Sequence, residues 1–434
     1  MIRRAWRRLR SDQFARWLTA ITAIGLAVRF VYVIGFRRDE TVGGDPYFYH
    51  HGANLLVHGK GFIAPLQYIA LNIRLDAADH PPLYMLFLSI PSLFRLDTPL
   101  AHMLWSAGLG AATVALTGLL GRAVAGSRAG LIAAAIVAIS PNLWIYDGAI
   151  LSETMAIFVA TLVLLLAYRA WAHINVARAC VLGGACGLAM LARSELVLLV
   201  PALLWPVALF ADRLPWRARI ARAGAATAVA LVVVAPWVGY NLSRFRHPVF
   251  LSSQAETALA GSNCSDTYYG ANIGMFTQRC LDLYPHDPGE DESVTAQRLR
   301  RGAQHYIRTH LGRVPLVMAV RVGRVTGVYR PAQQVDLDVF VEGRERPLAI
   351  IGLFAGYATG IAAVAGAVIV HRRRGPPVFP LVVLPTIVLF TVAVTYATDR
   401  FRASAESALA VLAAVALAAL WTRARTARLA SRSS

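Results

Sequence analysis

Long apolar runs separated by short polar joints set the pattern of this chain. The runs fall near residues 14–36, 99–121, 129–146, 151–171, 177–192, 195–211, 222–240, 347–370, 377–397 and 404–422. The stretch 223–238 contains no ionisable residue at all. A bilayer-spanning helix needs about 20 mostly apolar residues, so the pattern predicts an all-α polytopic membrane protein with about ten transmembrane helices. Two polar segments interrupt it, 37–98 and 241–346. The chain divides accordingly into a transmembrane module over 1–240, with 37–98 as its first outer loop, an extracytoplasmic segment over 241–346 and C-terminal transmembrane helices over 347–434.

One apolar stretch departs from the rule. Met85–Phe94, led in by His80-Pro81-Pro82-Leu83-Tyr84, is too short to span, and counting it as a span would place Arg122 and Arg128 on the outer side. The pattern predicts a helix lying at the outer interface, with Pro82 near its first turn. Around Ser293–His310 the spacing is that of an amphipathic helix. The run from Phe14 to Phe36 follows a basic stretch, as a signal peptide does, but it is too long for a cleaved core and no small-residue cleavage site follows. It is expected to be an uncleaved first helix.

Composition agrees with the membrane reading. Of 434 residues, 57% are hydrophobic and 15% charged, where a soluble domain carries about a quarter charged. The net charge of +19 suggests a nucleic-acid partner until its distribution is considered. Arginines cluster between apolar runs: Arg3, Arg4, Arg7, Arg8 and Arg10; Arg213, Arg217, Arg219 and Arg222; Arg372, Arg373 and Arg374; Arg423, Arg425, Arg428 and Arg432. With the N-terminus inside, the joints at 122–128, 169–178, 212–222 and 371–376 and the tail all fall inside. That is how arginine distributes beside anionic lipid, and it excludes nucleic acid, which needs an aromatic-interleaved basic face. Lys60 is the sole lysine, a usage that suits a GC-rich bacterial genome and hence a bacterial cytoplasmic membrane.

This topology gathers many remaining ionisable residues at the outer face: Asp39, Glu40 and Asp45 after the first span, Asp147 and Glu153 between the third and fourth, Arg193 and Glu195 between the fifth and sixth, and Asp399, Arg400 and Arg402 between the last two. Ionisable groups at membrane helix ends are costly unless paired or wet, which makes the cluster a candidate site. Asp39 and Glu40, beside Arg37 and Arg38, read as ordinary loop charge. Glu153 reads either as a functional acid or as a helix-start residue favoured by the dipole. In Gly43-Gly44-Asp45-Pro46-Tyr47-Phe48-Tyr49-His50-His51, glycines place Asp45 in a tight turn and Pro46 starts a helix. Asp45 there is either a general base for a hydroxyl acceptor or a plain N-cap. His50 and His51 with Asp45 offer metal-ligand types, but adjacent histidines diverge on a helix, so a divalent metal is not favoured. Cys264 and Cys280, with fifteen residues between them in an oxidising compartment, suit a disulfide worth ~3 kcal/mol, whereas Cys180 and Cys186 lie within an apolar run as packed thiols.

The segment from Gly43 to Phe62 resembles the first outer loop of GT-C glycosyltransferases, particularly the branch of protein O-mannosyltransferases and the bacterial aminoarabinose transferase of lipid A. In that branch an acidic pair opens an interfacial helix, and a Lys-Pro or His-Pro-Pro motif follows. Asp45 takes the first acidic position, Pro46 replaces the second, and His80-Pro81-Pro82-Leu83-Tyr84 matches the later motif. Glu153 and Arg193 fall where relatives carry an acid opening the fourth span and a basic residue ending the fifth. Asp399-Arg400-Phe401-Arg402 with Glu406 is similar to the ending of many bacterial members, and the Cys264–Gly270 stretch with Cys280 is similar to actinobacterial homologues.

The resemblance implies transfer of a single sugar from a polyprenyl-phosphate donor to a hydroxyl on a glycan, lipid or protein, usually with inversion. It implies Asp45 as base, with Glu153 as the second acid that Pro46 leaves missing. Arg193, Arg400 and Arg402 become candidates for the donor phosphate, assisted by Lys60 and His80, although lipid-headgroup contact would also explain each arginine. No cofactor beyond the lipid-linked donor is implied. A transporter or flippase would place polar residues near the midplane, where these spans are bland. A polymerase or ligase using a diphosphate-linked lipid donor would share the outer-face site.

Overall fold

The computed structural model describes residues 12–39, 43–285, 287–373 and 375–433. The arginines between residues 3 and 10, Glu40 and Arg374, and the side chains of Arg428 and Arg432, lie outside the described residues.

Each apolar run falls on helix. Six helical stretches are long and apolar enough to cross a membrane: Gln13–Arg37, Pro99–Ala125, Glu153–Ala172, Trp216–Leu242, Arg346–Arg372 and Asp399–Thr426. Four shorter ones, Ser127–Ile139, Val176–Ala192, Ser194–Phe210 and Phe379–Val394, take the remaining runs. Two of these differ from the expected single spans, and proline is the reason in both. The 129–146 run stops at Ser140, because Pro141 disfavours helix in the residue before it, and a short turn over Pro141–Trp144 follows. The 195–211 run carries Pro201 and Pro206, which remove backbone donors, and it breaks into 3-10, π and α pieces.

The bundle packs through small residues, as membrane helices do when there is no water to drive association. A Cβ on Gly183 would meet the Ala226 carbonyl oxygen at 2.0 Å, and one on Gly366 would meet that of Leu412 at 1.8 Å, so both helix pairs touch backbone to backbone. The final helix is the centre of the bundle: 72% of its apolar window is buried, against 17% for Arg346–Arg372 at the periphery.

Alternation of the helices separates two ends. At one, Arg122 pairs with Asp12 at 3.1 Å, and the Tyr168 hydroxyl donates to the Pro377 carbonyl at 2.7 Å. The basic joints collect there. At the other end lie the Gly44–Val57 helix, the Leu83–Leu93 helix that packs beside it, and the segment from 243 to 345. In that segment Cys264 and Cys280 are bonded, with Cα atoms 5.6 Å apart. Arg321 and Arg324 tie the same region by donating to the carbonyls of Ser262 at 2.6 Å and Ile273 at 2.7 Å. The segment joins the bundle where Ala397 N–H donates to Gly274 at 3.0 Å, three residues before Arg400.

Candidate active site

Five chain segments deliver the ionisable cluster, one of them carrying Asp79 and His80. Gly44 has φ +56°, a left-handed turn that glycine adopts without cost, and the helix opens there with Asp45 and Pro46 in its first turn. Gly43, not Asp45, is the N-cap, and it makes no side-chain cap bond. The Asp45 carboxylate is therefore free to point elsewhere. Glu153 opens the next long helix, and the turn before it contains Ile150 at φ +51°. For a buried β-branched residue that is a strained conformation costing about 1–3 kcal/mol, concentrated where acids must be aimed. Arg193 sits in extended backbone just past the Val176–Ala192 helix, and Arg400 lies on a 3-10 turn ahead of the last helix.

These segments converge on a charge network. Arg400 lies 2.8 Å from Asp45 through Nη2 and donates to Glu153 at 2.8 Å through Nε. The same Glu153 oxygen accepts from Arg193 Nη1 at 2.6 Å, and Arg193 Nε donates to Glu195 at 2.5 Å. His80 Nε2 stands between two carboxylates, 3.5 Å from Asp45 and 3.2 Å from Asp79. Burial alone would raise the Asp45 carboxyl, but Arg400 and His80 outweigh it and hold the group well below the ordinary carboxylate range. For His80, burial lowers its affinity for a proton, yet Asp79 and Asp45 prevail and lift it above the ordinary histidine value. Burial raises Asp79, with His80 opposing.

Three clefts meet at Asp45. One of about 270 Å³ is walled by His80, Arg193, Tyr396, Arg400 and Phe401. A second of about 360 Å³ carries Arg37, Arg400 and Glu342 together with Leu151, Phe340 and Val341. The third, about 430 Å³, is lined by Tyr47, Phe48, Gln67, Asp79 and Glu292 and has no arginine or lysine among its described lining residues.

Residues 79–240, which include His80, Glu153 and Arg193, match the family model for dolichyl-phosphate-mannose-protein mannosyltransferase. Among solved structures, the archaeal oligosaccharyltransferase AglB from Archaeoglobus fulgidus, in complex with an inhibitory peptide and a dolichol-phosphate, is similar over 98% of this chain and 52% of that chain, at 16% identity and a TM-score of 0.59. This chain shares that protein's fold. An Archaeoglobus fulgidus oligosaccharyltransferase in complex with Zn and sulfate is similar at 16% identity over 94% of this chain and 50% of that chain, with a TM-score of 0.59. The chain thus spans about half the length of these structures. ArnT from Cupriavidus metallidurans bound to undecaprenyl phosphate is 14% identical over 92% of this chain and 77% of that chain, with a TM-score of 0.44. No curated protein matches the sequence.

The fold brings Asp45, Glu153, Arg193, Arg400 and His80 together, and leaves other candidates apart. Arg402 turns away to pair with Glu406 at 2.6 Å. Lys60 lies 5.8 Å over the Tyr68 ring and lines none of the three clefts. Asp39 is exposed, and Asp147 pairs with Arg29 at 2.7 Å inside the bundle. Sequence reasoning overlooked Asp79 and Tyr49. Both had a signal: Asp79 adjoins His80, and Tyr49 follows Asp45 by four positions, hence on one helix face. For Glu292 and Arg344 no local signal existed.

One group of described acids has the spacing of a metal site. Asp338, Glu342 and Asp399 have carboxylate oxygens within 4.8 Å of one another. The Arg344 guanidinium already lies against all three, at 3.5, 2.5 and 2.6 Å, so a divalent ion would have to displace a buried arginine. His50 hydrogen-bonds His102 at 3.1 Å and His51 packs on Tyr47 at 4.1 Å, so neither ring is directed to Asp45. These residues do not fit a metal as they stand.

Proposed function

We propose that this protein is a glycosyltransferase that moves a single sugar from a polyprenyl-phosphate donor to a hydroxyl acceptor, with inversion, at the outer face of a bacterial cytoplasmic membrane. The observation that carries the reading is Arg400 bridging Asp45 and Glu153 beside a cleft that Arg193 also lines. Arg193 Nη2 and Arg400 Nη1 have no partner among the described residues, so both guanidinium forks keep a donor for a phosphate. The match over 79–240 to a dolichyl-phosphate-mannose family supports a lipid monophosphate donor and makes mannose the first sugar to try.

In the reaction the acceptor O–H gives its proton to Asp45 while its oxygen bonds the anomeric carbon. The bond from that carbon to the phosphate oxygen breaks, and polyprenyl phosphate leaves with the electron pair. Arg193 and Arg400 balance the charge that develops on the leaving group. Glu153, fully buried, touches both guanidiniums and lines none of the clefts, so it acts through them as a positioning residue. Pinned by Arg400, Asp45 is a weak base in the free protein. A donor phosphate that draws on Arg400 loosens this hold, so donor binding arms the base.

The test is transfer by purified protein from radiolabelled polyprenyl-phosphate mannose to a membrane extract, with Asp45→Asn alongside, followed by a panel of other polyprenyl-phosphate sugars. Asp45-dependent transfer of one sugar is the expected result. Transfer of a preassembled glycan from a diphosphate-linked donor, or no transfer from any monophosphate donor, would overturn it.

A further inference from the structure

The three clefts at Asp45 differ in charge, and the difference assigns them. Two contain Arg400, the group that suits a leaving phosphate. The third has none, although it is the most spacious of the three. Its polar side chains are Asp45, Asp79, Glu292 and Gln67, and its aromatic ones are Tyr47 and Phe48. Glu292 comes from the second polar segment and is anchored there by the Ala78 N–H, at 3.1 and 3.2 Å, and by the Ser253 hydroxyl. A guanidinium behind it, Arg244, is occupied by the carbonyls of Phe62 at 2.7 Å and Ala77 at 3.0 Å and by Asp76 at 3.3 Å. Two parts of the chain far apart in sequence thus build one acidic wall.

We infer that this cation-free cleft holds the acceptor, and that the acceptor is the hydroxyl of an uncharged saccharide, not of a phosphorylated or otherwise anionic one. The inference rests on the transferase reading and adds the acceptor class to it. Carboxyl oxygens accept hydrogen bonds, and Glu292, which burial pushes up to about 7, also donates when protonated, a combination that matches the rim of hydroxyls on a sugar ring. Aromatic walls suit its C–H faces, and the volume falls in the range of about 300–1,000 Å³ usual for small-ligand sites. An anionic acceptor would meet acids with no cation to neutralise it, a like-charge juxtaposition that rejects partners. The charge is also placed to serve the reaction. Asp45 lines this cleft and both arginine-bearing ones, so a hydroxyl entering here reaches the base from a cleft that Arg193 does not line.

The experiment is saturation-transfer NMR on the full chain in detergent, with three soluble probes: methyl α-mannobioside, the same disaccharide carrying a phosphate, and a Ser/Thr-containing peptide. The neutral disaccharide is expected to bind, with the phosphorylated one weaker by roughly tenfold or more. Asp79→Asn and Glu292→Gln should narrow that gap. Should Glu292→Gln misfold for want of its anchor role, Asp79→Asn, whose carboxylate bonds no backbone group, still reads the effect. Equal or tighter binding of the phosphorylated sugar overturns the inference, as does binding of the peptide with no saccharide bound. Release of sugar to water from polyprenyl-phosphate donors by the same preparation reads the transferase function separately. A protein that cleaves the donor yet binds no neutral saccharide sinks the acceptor assignment alone.

Discussion

Arg400 and Glu153, 247 residues apart in the chain, meet in a hydrogen bond of 2.8 Å, and through it the last helix and the Glu153–Ala172 helix share one charge network. The second nitrogen of that guanidinium holds Asp45, so a single side chain sets the position of two acids. Arg400→Lys keeps the charge and loses the fork. Transfer should fall by roughly 10²-fold or more, since one positioned donor to developing charge is worth about that. Steady-state kinetics on the variant check this, and near-normal turnover would show that the fork is not needed.

Asp45→Asn preserves size and removes the base. Activity should drop by roughly 10²- to 10⁴-fold while the protein stays folded, because no bond from Asp45 caps its helix. Thermal unfolding measured beside activity separates chemistry from stability.

Glu153→Ala takes one acid from each of two buried arginines, leaving Arg193 to Glu195 and Arg400 to Asp45. Removing one partner of a buried pair costs about 3–5 kcal/mol, so a large loss of thermal stability is expected. Glu153→Gln retains one acceptor oxygen and should recover part of the stability with a raised KM for the donor. If the two variants unfolded alike, the shared-acceptor role would be wrong.

His80 makes stability depend on pH. Its folded value is raised above 6.5 by Asp79 and Asp45 against the effect of burial. A raised histidine contributes stability that is complete below its unfolded pKa of about 6.5 and is lost as pH rises through the folded value. The melting temperature should therefore decline on going alkaline, and His80→Gln should flatten that slope. Asp45 adds no slope there, because its depressed carboxyl stays ionised throughout.

Gly183→Ala tests the packing. The added Cβ would sit 2.0 Å from the Ala226 carbonyl oxygen, which cannot rotate away. Separating two helices packed backbone to backbone should cost about 1–3 kcal/mol, visible as a lowered unfolding temperature. Gly224→Ala, where a Cβ meets nothing within 4 Å, is the control expected to be neutral or slightly stabilising.

The placement of the apolar helices was legible in the letters, because a bilayer admits only backbone that satisfies its own hydrogen bonds, and that demand writes itself as apolar length. Arginine placement likewise marked the joints that the fold ties at one end, as Arg122 with Asp12 illustrates. The acids and arginines of the opposite end were legible as a list, since charge at a helix end stands out against apolar neighbours. Which of them touch was not. Arg400 and Arg402 are two positions apart in similar surroundings, yet a 3-10 turn sends one to Asp45 and Glu153 and the other to Glu406. Glu292 reaches the cleft only because its helix folds back over residues 76–79, and Arg344 becomes a hub only when Asp338, Glu342 and Asp399 surround it. Apolar periodicity is a local property that one helix carries by itself. A charge network is a set of distances between segments, and only packing the bundle fixes them.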